Sequence, residues 1–312
     1  MRIFVTGASG WIGSAVVPEL LGAGHQVVGL ARSEASASAL VAAGAEVQPG
    51  TLDDLDHLRR AADASDGVIH LAFKHDLAFS GDFEAAADAD RRAVEAFGET
   101  LAGSDRPFVL ASGLLGLVPG RVATEQDGLV ADAGSSHIPA GPRTRLGTAQ
   151  LCASFASRGV RSSVLRLPPT VHGDGDNGFM AAIVGFARAA GTSGYLGDGA
   201  NRWPAVHRSD AARLFRLAVE RAPAGSTLHA VADEGVAIRS VAEVIGRRLD
   251  LPVAAVPPAE AEAHFGFLAH FLGLDSPASS VWTQETLGWR PTGPGLLDDL
   301  AQDFYYRSAA AA

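Results

Sequence analysis

Short apolar runs alternate with longer amphipathic stretches through the first half of the chain. The short runs have the length and composition of buried strands, and the stretches between them carry apolar residues at the three- and four-residue spacing of a helix. Strands that recur with helices between them indicate a parallel sheet covered on both faces, with right-handed crossovers. The pattern therefore predicts a doubly wound α/β sheet with strands at Arg2–Thr6, Gln26–Ala31, Glu46–Pro49, Gly67–Leu71, Pro107–Ser112 and Ser162–Leu167, and helices at Ile12–Ala23, Ser33–Ala43, Leu55–Ala64, Phe83–Ala102 and Gly141–Ser157.

After Leu167 the alternation becomes less regular. The stretch PPTVHGDGDNGF is rich in turn residues, a helix is predicted at Asp210–Arg221, and a strand at Ser226–Val231. We expect this part of the chain to build a smaller substrate lobe over the carboxyl edge of the sheet. The expected division is a main domain of residues 1–167 with about 208–235 returning to it, and a smaller lobe of residues 168–207 and 236–312.

Composition and charge narrow the class of protein. The formal net charge is −10, and no stripe of Lys and Arg is present, which argues against a nucleic-acid surface. No apolar run approaches the roughly 18 residues needed to span a bilayer. The lone Cys152 has no partner for an internal disulfide, and the chain runs from MR straight into a strand without a cleavable apolar region. We expect a soluble, cytoplasmic protein without a membrane partner.

The stretch TGASGWIG, Thr6 to Gly13, lies between the first strand and the first helix. Its three glycines, Gly7, Gly10 and Gly13, allow a tight turn, close approach of a pyrophosphate and close packing of helix on strand. The free N–H groups at the start of the helix then face the phosphates. The motif predicts a Rossmann-type sheet that binds a dinucleotide.

The spacing TGxxGxxG resembles that of the short-chain dehydrogenase/reductase superfamily, in particular its extended, NAD-dependent epimerase/dehydratase-like branch. Further segments in the order of that family are GTLDDLDHL (50–58), VIHLAF (68–73), FVLASG (108–113), ATEQD (123–127), LRLPPTVHG (165–173), WPAVHRSDAARLF (203–215) and LGWRP (287–291). The resemblance implies that the cofactor contacts Gly7, Ser9, Gly10, Trp11, Ile12 and Gly13 in the loop, Thr51 and Leu52 at the adenine, Leu71, Ala72 and Phe73 at the ribose and pyrophosphate, and Leu167, Pro168 and Val171 at the nicotinamide.

The end of the second strand indicates which form of the cofactor is bound. NAD-selective sites place an Asp or Glu about 20 residues past the glycines, where it accepts from the ribose 2′-OH. Here the strand ends in GLARSE, so Arg32 and Ser33 occupy that position. A guanidinium beside a hydroxyl suits a 2′-phosphate. We therefore expect NADP (NADPH), although Arg32 could also be a solvated loop residue.

The family usually works with a Tyr that exchanges a proton with the substrate and a Lys four residues later. The pair is missing here, since no tyrosine precedes the single lysine, Lys74, by four. In the stretch AGPRTRLGTAQ, Pro142 and Leu146 fall in the Tyr and Lys positions, with Arg143 and Arg145 nearby. The chain therefore resembles the atypical members that keep the glycine loop without the catalytic pair.

Other groups are candidates for the missing proton donor. His75 follows the fourth strand, Ser112 ends the fifth, and His172 follows the segment expected at the nicotinamide. Imidazole is well matched to proton transfer near neutral pH. A packing role for His172 and a pocket-wall role for His75 remain open. We expect no metal site, because HGDGDNG lacks the length and closing Glu of a calcium loop.

These observations favour an NADPH-dependent reductase of a small, hydrophobic carbonyl or activated double-bond substrate. Phe73, Phe179, Trp203 and the Phe265–Phe271 region would give its pocket apolar walls. The alternative is a non-catalytic NADP-binding redox sensor or scaffold, and a sugar epimerase or dehydratase ranks lower because it needs the missing tyrosine. The resemblance also implies a possible homodimer, formed through the predicted helices Phe83–Ala102 and Gly141–Ser157.

Overall fold

The computed structural model of the protein describes residues 1–118, 120–128 and 144–307. The described strands, in chain order, are β1 (Arg2–Thr6), β2 (Gln26–Ala31), β3 (Glu46–Pro49), β4 (Gly67–His70), β5 (Pro107–Gly113), β6 (Arg161–Leu167), β7 (Thr170–His172), β8 (Ser193–Leu196), β9 (Arg202–His207), β10 (Ser226–His229), β11 (Asp233–Ala237) and β12 (Val253–Val256).

The described α-helices, in chain order, are α1 (Gly13–Gly22), α2 (Glu34–Ala42), α3 (Leu55–Asp63), α4 (His75–Phe79), α5 (Phe83–Thr100), α6 (Arg145–Ser154), α7 (Phe179–Ala190), α8 (Arg208–Arg221), α9 (Ile238–Leu249), α10 (Ala261–Phe265), α11 (Ala269–Leu272), α12 (Val281–Leu287) and α13 (Leu296–Leu300). The predicted strands of the first half are confirmed to within one residue at each end. The predicted helix Gly141–Ser157 begins outside the described residues, and its described part is α6.

The main sheet of the described chain has seven parallel strands in the order β3-β2-β1-β4-β5-β6-β10. This order confirms the predicted Rossmann-type doubly wound sheet. The chain moves outward from β1 to β2 and β3, and then crosses to β4 on the other side of β1. Ligands of such sheets bind in the crevice at this change of direction, beyond the carboxyl ends of the strands. The glycine loop lies at that point.

Alternating side chains of the strands fill the core on the two faces of the sheet. Ile3 and Val5 point to the face covered by α1, α2 and α8, and Phe4 points to the face covered by α3, α5 and α6. All three are fully buried, which contributes about 1.5–3 kcal/mol for each such side chain. Phe155, which belongs to the predicted helix Gly141–Ser157 of the possible homodimer, lies buried in the second of these cores against Gly98. The homodimer stays a prediction.

The second half of the chain adds to the main sheet and also forms small sheets of its own. β10 pairs with β6, and α8 packs on α1 in the main core. The remaining strands form a three-stranded sheet, β11-β9-β7, and a two-stranded sheet, β12-β8. A separate apolar core joins α7, α9, α10, α11 and α13 around Trp203. This part of the chain carries the candidate substrate residues.

Candidate active site

The glycine loop is shaped so tightly that two of its positions exclude a side chain. Gly7 has φ +66°, and a Cβ there would lie 2.8 Å from the backbone N of Ala72. A Cβ on Gly13 would lie 2.1 Å from the carbonyl oxygen of Gly7. Gly10 is exposed, and its amide donates to the Gly7 oxygen at 3.0 Å. The bare backbone at the start of α1 fits the pyrophosphate of a dinucleotide.

A buried polar network supports this loop from below. The Thr6 hydroxyl lies 2.5 Å from Nδ1 of His70 and accepts from the Ala72 amide at 3.3 Å. Nε2 of His70 lies 3.2 Å from Oδ1 of Asp90 on α5. Thr6, His70 and Asp90 are all buried. These contacts tie the ends of β1 and β4 together directly under the glycine loop.

Trp11 joins the glycine loop to the smaller lobe. Its indole N–H donates to the carbonyl oxygen of Val171 at 2.9 Å, and the guanidinium of Arg208 lies over its ring at 4.2 Å. Burial lowers the pKa of Arg208, and the nearby Asp174 carboxylate opposes that effect. The predicted contacts Trp11 and Val171 are therefore adjacent, although their sequence positions are far apart.

Arg32 and Ser33 lie at the end of β2, as the sequence predicts. The guanidinium of Arg32 is 73% exposed and lies 3.7 Å from the carboxylate of Asp76 on α4. Ser33 is the N-cap of α2, where its hydroxyl accepts from the Ser36 amide at 3.2 Å. Arg32 therefore has an exposed charge at the position where the family binds the ribose.

The predicted adenine contacts sit in a loop held by acidic residues. Thr51 donates from its amide and its hydroxyl to Oδ2 of Asp54, and Leu52 is buried in the core. Backbone and hydroxyl donation from Thr51 lowers the pKa of Asp54. Lys74, which follows Phe73, contacts Asp53 of the same loop at 2.6 Å. The loop after β3 and the segment after β4 are thus linked by an ion pair.

Arg145 occupies the carboxyl ends of β4 and β5. One of its N–H groups donates to the carbonyl oxygen of Ala111 at 2.8 Å, next to Ser112, and its guanidinium lies 4.1 Å from the centre of the Phe73 ring. Arg145 is the first residue of α6, where the helix dipole disfavours a cation. The contacts with the Ala111 carbonyl and the Phe73 ring offset the unfavourable interaction of this cation with the helix dipole.

His75 lies beside this charge. It begins the short helix α4, which the sequence analysis did not predict, and its ring is 5.1 Å from that of Phe73. Desolvation lowers the pKa of His75, and the positive charge of Arg145 lowers it further. The imidazole is therefore neutral at pH 7. The structure brings His75, Phe73 and Arg145 together, with Ser112 on the neighbouring strand.

Leu146, the residue that we align with the family's catalytic lysine, lies in apolar surroundings. Leu146 packs against a core cluster that contains Leu114 and Leu117. The amide of Gln150, one turn further along α6, donates to the Gly128 carbonyl at 3.2 Å. Pro142 and Arg143 lie outside the described residues. Arg145, which directly precedes Leu146, carries a positive charge at the start of α6.

His172 lies in the protein interior. Its ring is fully buried, Nδ1 donates to Oδ2 of Asp299 on α13 at 2.7 Å, and the ring centre is 5.6 Å from that of His207. The residue connects β7 to the C-terminal segment. Nearby, Tyr305 donates its hydroxyl to Asp176 at 2.7 Å, and burial raises the pKa of both groups. The proton-donor role of His172 stays a prediction, and its contacts are those of a structural residue.

The two predicted pocket residues of the lobe are in contact. Phe179 begins α7, is half-buried, and its ring centre lies 5.9 Å from that of Trp203. Trp203 is buried behind it and donates its indole N–H to the Leu274 carbonyl. The predicted nicotinamide contacts Leu167 and Pro168 lie at the end of β6, and Pro168 is buried. Phe179 is therefore the member of the pair that reaches the surface.

Within residues 1–118, 120–128 and 144–307, no group of three or more His, Cys, Asp or Glu residues could hold a metal ion. No helix there is long and apolar enough to cross a membrane.

The fold and the glycine loop define a protein of the class that binds a nicotinamide dinucleotide. The model of the NAD dependent epimerase/dehydratase family matches residues 3–231, and the chain belongs to this family. It is 49% identical over 98% of its length to Uncharacterized protein C2A9.02 of Schizosaccharomyces pombe, and 45% identical over 97% to Uncharacterized protein YLL056C of Saccharomyces cerevisiae, covering 100% and 99% of those proteins. The chain is an oxidoreductase of the epimerase/dehydratase type.

More distant similarities include a protein named as a ketoreductase and a solved structure with the same fold. The chain is 27% identical to a Stigmatella aurantiaca protein named 4-hydroxy-2-methyl-3-oxo-4-farnesyl-3,4-dihydroquinoline-1-oxide ketoreductase, over 85% of this chain and 80% of that one. The solved structure of DesIV, a dTDP-glucose 4,6-dehydratase from Streptomyces venezuelae with NAD and TYD bound, superposes with a TM-score of 0.74 at 20% identity, covering 98% of this chain and 97% of that one. At that identity the likeness shows the fold.

Proposed function

We propose that the protein is an NADPH-dependent reductase of a small, hydrophobic carbonyl or activated double-bond compound. The observation that carries the proposal is the guanidinium of Arg145, held between Phe73 and the Ala111 carbonyl beside Ser112. Arg145 directly precedes Leu146, the residue that we align with the family's lysine, and supplies a cation at the carboxyl ends of β4 and β5. The similarity to a protein named as a ketoreductase supports the same reaction class.

Reduction of a carbonyl adds a hydride to carbon and a proton to oxygen. A reduced nicotinamide dinucleotide supplies the hydride when it is bound. The protein's part is to hold the carbonyl oxygen and to give it the proton. In this proposal Arg145 directs N–H donors at the oxygen and stabilises the negative charge that develops there. Ser112 donates the proton from its hydroxyl and regains one from water, and neutral His75 is a second hydrogen-bonding group at the same edge.

The preference for NADPH rests on Arg32. Its exposed guanidinium stands at the end of β2, where NAD-selective relatives carry an acidic residue. A guanidinium binds phosphate through charge-assisted hydrogen bonds, each contributing about 1.5–3 kcal/mol. The carboxylate of Asp76 is the present neighbour of Arg32, so a 2′-phosphate would replace one anionic partner by another. The same charge offers a ribose diol no acceptor.

Titration of both cofactors tests this preference. In the proposal, Arg32→Ala weakens NADPH binding about tenfold or more and leaves NADH binding unchanged, as measured by fluorescence of the bound nicotinamide. Arg239→Ala is the matched control, because Arg239 is also exposed and pairs with Glu243 on α9, in the smaller lobe. Tighter or equal binding of NADH by the unmodified protein would refute the NADPH preference.

Turnover tests the reductase itself. We expect the protein to oxidise NADPH with aldehydes, ketones, imines or enones, and Arg145→Met to lower kcat about 100-fold, the usual cost of removing one donor to a developing oxyanion. NADPH affinity should change little, since the variant keeps the glycine loop and Arg32. Arg158→Met is the control, because Arg158 lies over the Phe155 ring in the short 3-10 turn Phe155–Arg158 that follows α6.

The alternative is a non-catalytic NADP-binding sensor. The apolar packing of Leu146 at the lysine position favours it, because the usual activation of a catalytic tyrosine is lost. Tight NADPH binding without turnover of any compound in the panel is the result that would favour this alternative. A sugar epimerase or dehydratase ranks third, and copurification of tightly held NAD would support it.

A further inference from the structure

Exposed phenylalanines are found at two places in the described chain, one beside Phe73 and one beside Phe179. Phe83 is 49% exposed, Phe267 46% and Phe271 38%. Exposing a phenyl ring forgoes the free energy of burying it, so neighbouring exposed rings commonly mark a ligand or partner site. Phe83 packs near Phe73 at 6.0 Å, on the Rossmann side of the crevice. Phe267 and Phe271 lie on the lobe side.

Phe267 and Phe271 contact the predicted pocket residue Phe179. The rings of Phe179 and Phe271 are stacked with centres 6.5 Å apart, and Phe267 lies 6.2 Å from Phe179. Phe267 also meets Phe186 on α7 at 6.3 Å. Behind them is the fully packed Trp203. The result is an aromatic wall with a buried base and an exposed edge.

The segment carrying this wall is fixed to the loop that follows Ser112. The hydroxyl of Ser276 accepts from the Gly116 amide at 3.0 Å and donates to the Leu114 carbonyl at 3.4 Å. Leu115, between those two residues, packs against the apolar core that contains Phe179. Hydrogen bonds and apolar packing therefore join the segment after the wall to the loop that follows Ser112.

The chain preceding Ser276 is also anchored to β9. Trp203 donates its indole N–H to the Leu274 carbonyl, and the Asn201 amide donates to the Leu272 carbonyl at 2.7 Å. Arg202 donates to the carboxylate of Asp275, which lowers the pKa of that carboxyl. These polar bonds position the chain around Phe271, whose ring stacks on Phe179 on one side and stays 38% exposed.

We infer that Phe267 and Phe271 determine substrate specificity by binding the aryl or alkyl tail of the carbonyl compound. This inference rests on the proposed reductase function and names its substrate class. Phenyl rings offer apolar contact and no hydrogen-bond donor, so this wall suits an uncharged tail and offers nothing to the diphosphate of a sugar nucleotide. The carbonyl end then reaches Arg145 and Ser112 at the other side of the loop.

Kinetics with a matched pair of aldehydes test the inference. With NADPH saturating, Phe271→Ala and Phe267→Ala should each raise the KM for phenylacetaldehyde about tenfold, equivalent to about 1.4 kcal/mol, while the KM for propanal changes less than about twofold. The kcat for both aldehydes should stay unchanged. Phe271→Leu restores most of the affinity for an alkyl aldehyde such as hexanal. Val41→Ala, an exposed apolar residue on α2, is the control and should change neither KM.

Binding of the product alcohols separates this inference from the reductase proposal. Phenethyl alcohol should bind the NADPH-loaded protein more tightly than propanol, and Phe271→Ala should remove that difference. If the unmodified protein turns over neither aldehyde, that result counts against the reductase only, because the alcohol titration still measures binding at the aromatic wall. Equal effects of Phe271→Ala on the long and short ligands, or no effect on either, would overturn the inference.

Discussion

Acid should destabilise the protein through one buried imidazole, that of His229 at the end of β10. Its Nδ1 donates to the Ser279 carbonyl at 2.8 Å, and its Nε2 lies 3.3 Å from the guanidinium of Arg166. Burial lowers the pKa of His229 from 6.5 to about 3, and the positive charge of Arg166 adds to the effect. Burial also lowers the pKa of Arg166 to about 10, so this guanidinium stays charged at neutral pH.

The pKa difference sets the size and the sign of the effect. Between pH 6.5 and about 3, the unfolded chain binds a proton at His229 that the folded protein excludes, so stability falls as the pH falls through this window. At about 1.4 kcal/mol for each unit of pKa, the full loss approaches about 5 kcal/mol. About 2 kcal/mol of it should already be lost between pH 7 and pH 5.

Urea unfolding of the wild type and of His229→Gln at the two pH values measures this loss. The variant cannot titrate, so its free energy of unfolding should fall by about 2 kcal/mol less than that of the wild type over the same interval. His57→Gln, at an exposed position on α3, should behave as the wild type does. Equal losses for the wild type and His229→Gln would refute the assignment of acid sensitivity to this residue.

Three further outcomes follow from the packing. Gly13→Ala should lower NADPH affinity at least 100-fold, because its Cβ would lie 2.1 Å from a backbone oxygen. The matched variant Gly22→Ala, on the same helix, places a Cβ that meets nothing within 4 Å, so it should raise the free energy of unfolding by about 0.5–1 kcal/mol. Asp299→Ala should lower the free energy of unfolding in urea by about 3 kcal/mol or more, because it leaves the buried His172 without its partner, and Asp299→Asn should cost less. The Cys152 thiol, whose pKa burial raises, should react with a thiol reagent only in denaturant.

The sequence predicted the elements of the first half well because local pattern decides them. The short apolar run of β1 and the glycines before α1 are properties of neighbouring residues, so both can be recognised without knowing the fold. The sequence predicted a strand at Ser226–Val231 in a segment that returns to the main domain, but not that this strand, β10, pairs with β6 at the edge of the sheet. The short helix α4 was missed, since five residues are too few for a helical period to be visible.

The chemistry of the site depends on contacts between distant residues. Arg145 reaches the Ala111 carbonyl across 34 positions, and His172 reaches Asp299 across 127. No local pattern marks either contact. The sequence therefore identified His172 as a candidate by its position in a motif, whereas its burial and its partner became visible only in three dimensions. A cation at the first position of α6, against the helix dipole, was the signal available for Arg145.

Transfer of a labelled hydride tests the central claim most directly. NADPH that carries deuterium at the transferable position of its nicotinamide ring is incubated with the protein and phenylacetaldehyde, and the alcohol is analysed by mass spectrometry. A reductase yields phenethyl alcohol with one deuterium on its carbinol carbon, and Arg145→Met forms it about 100-fold more slowly. Tight binding of NADPH without deuterated alcohol from this aldehyde and without labelled product from any ketone, imine or enone in the panel would contradict the reductase and leave a sensor of cofactor state.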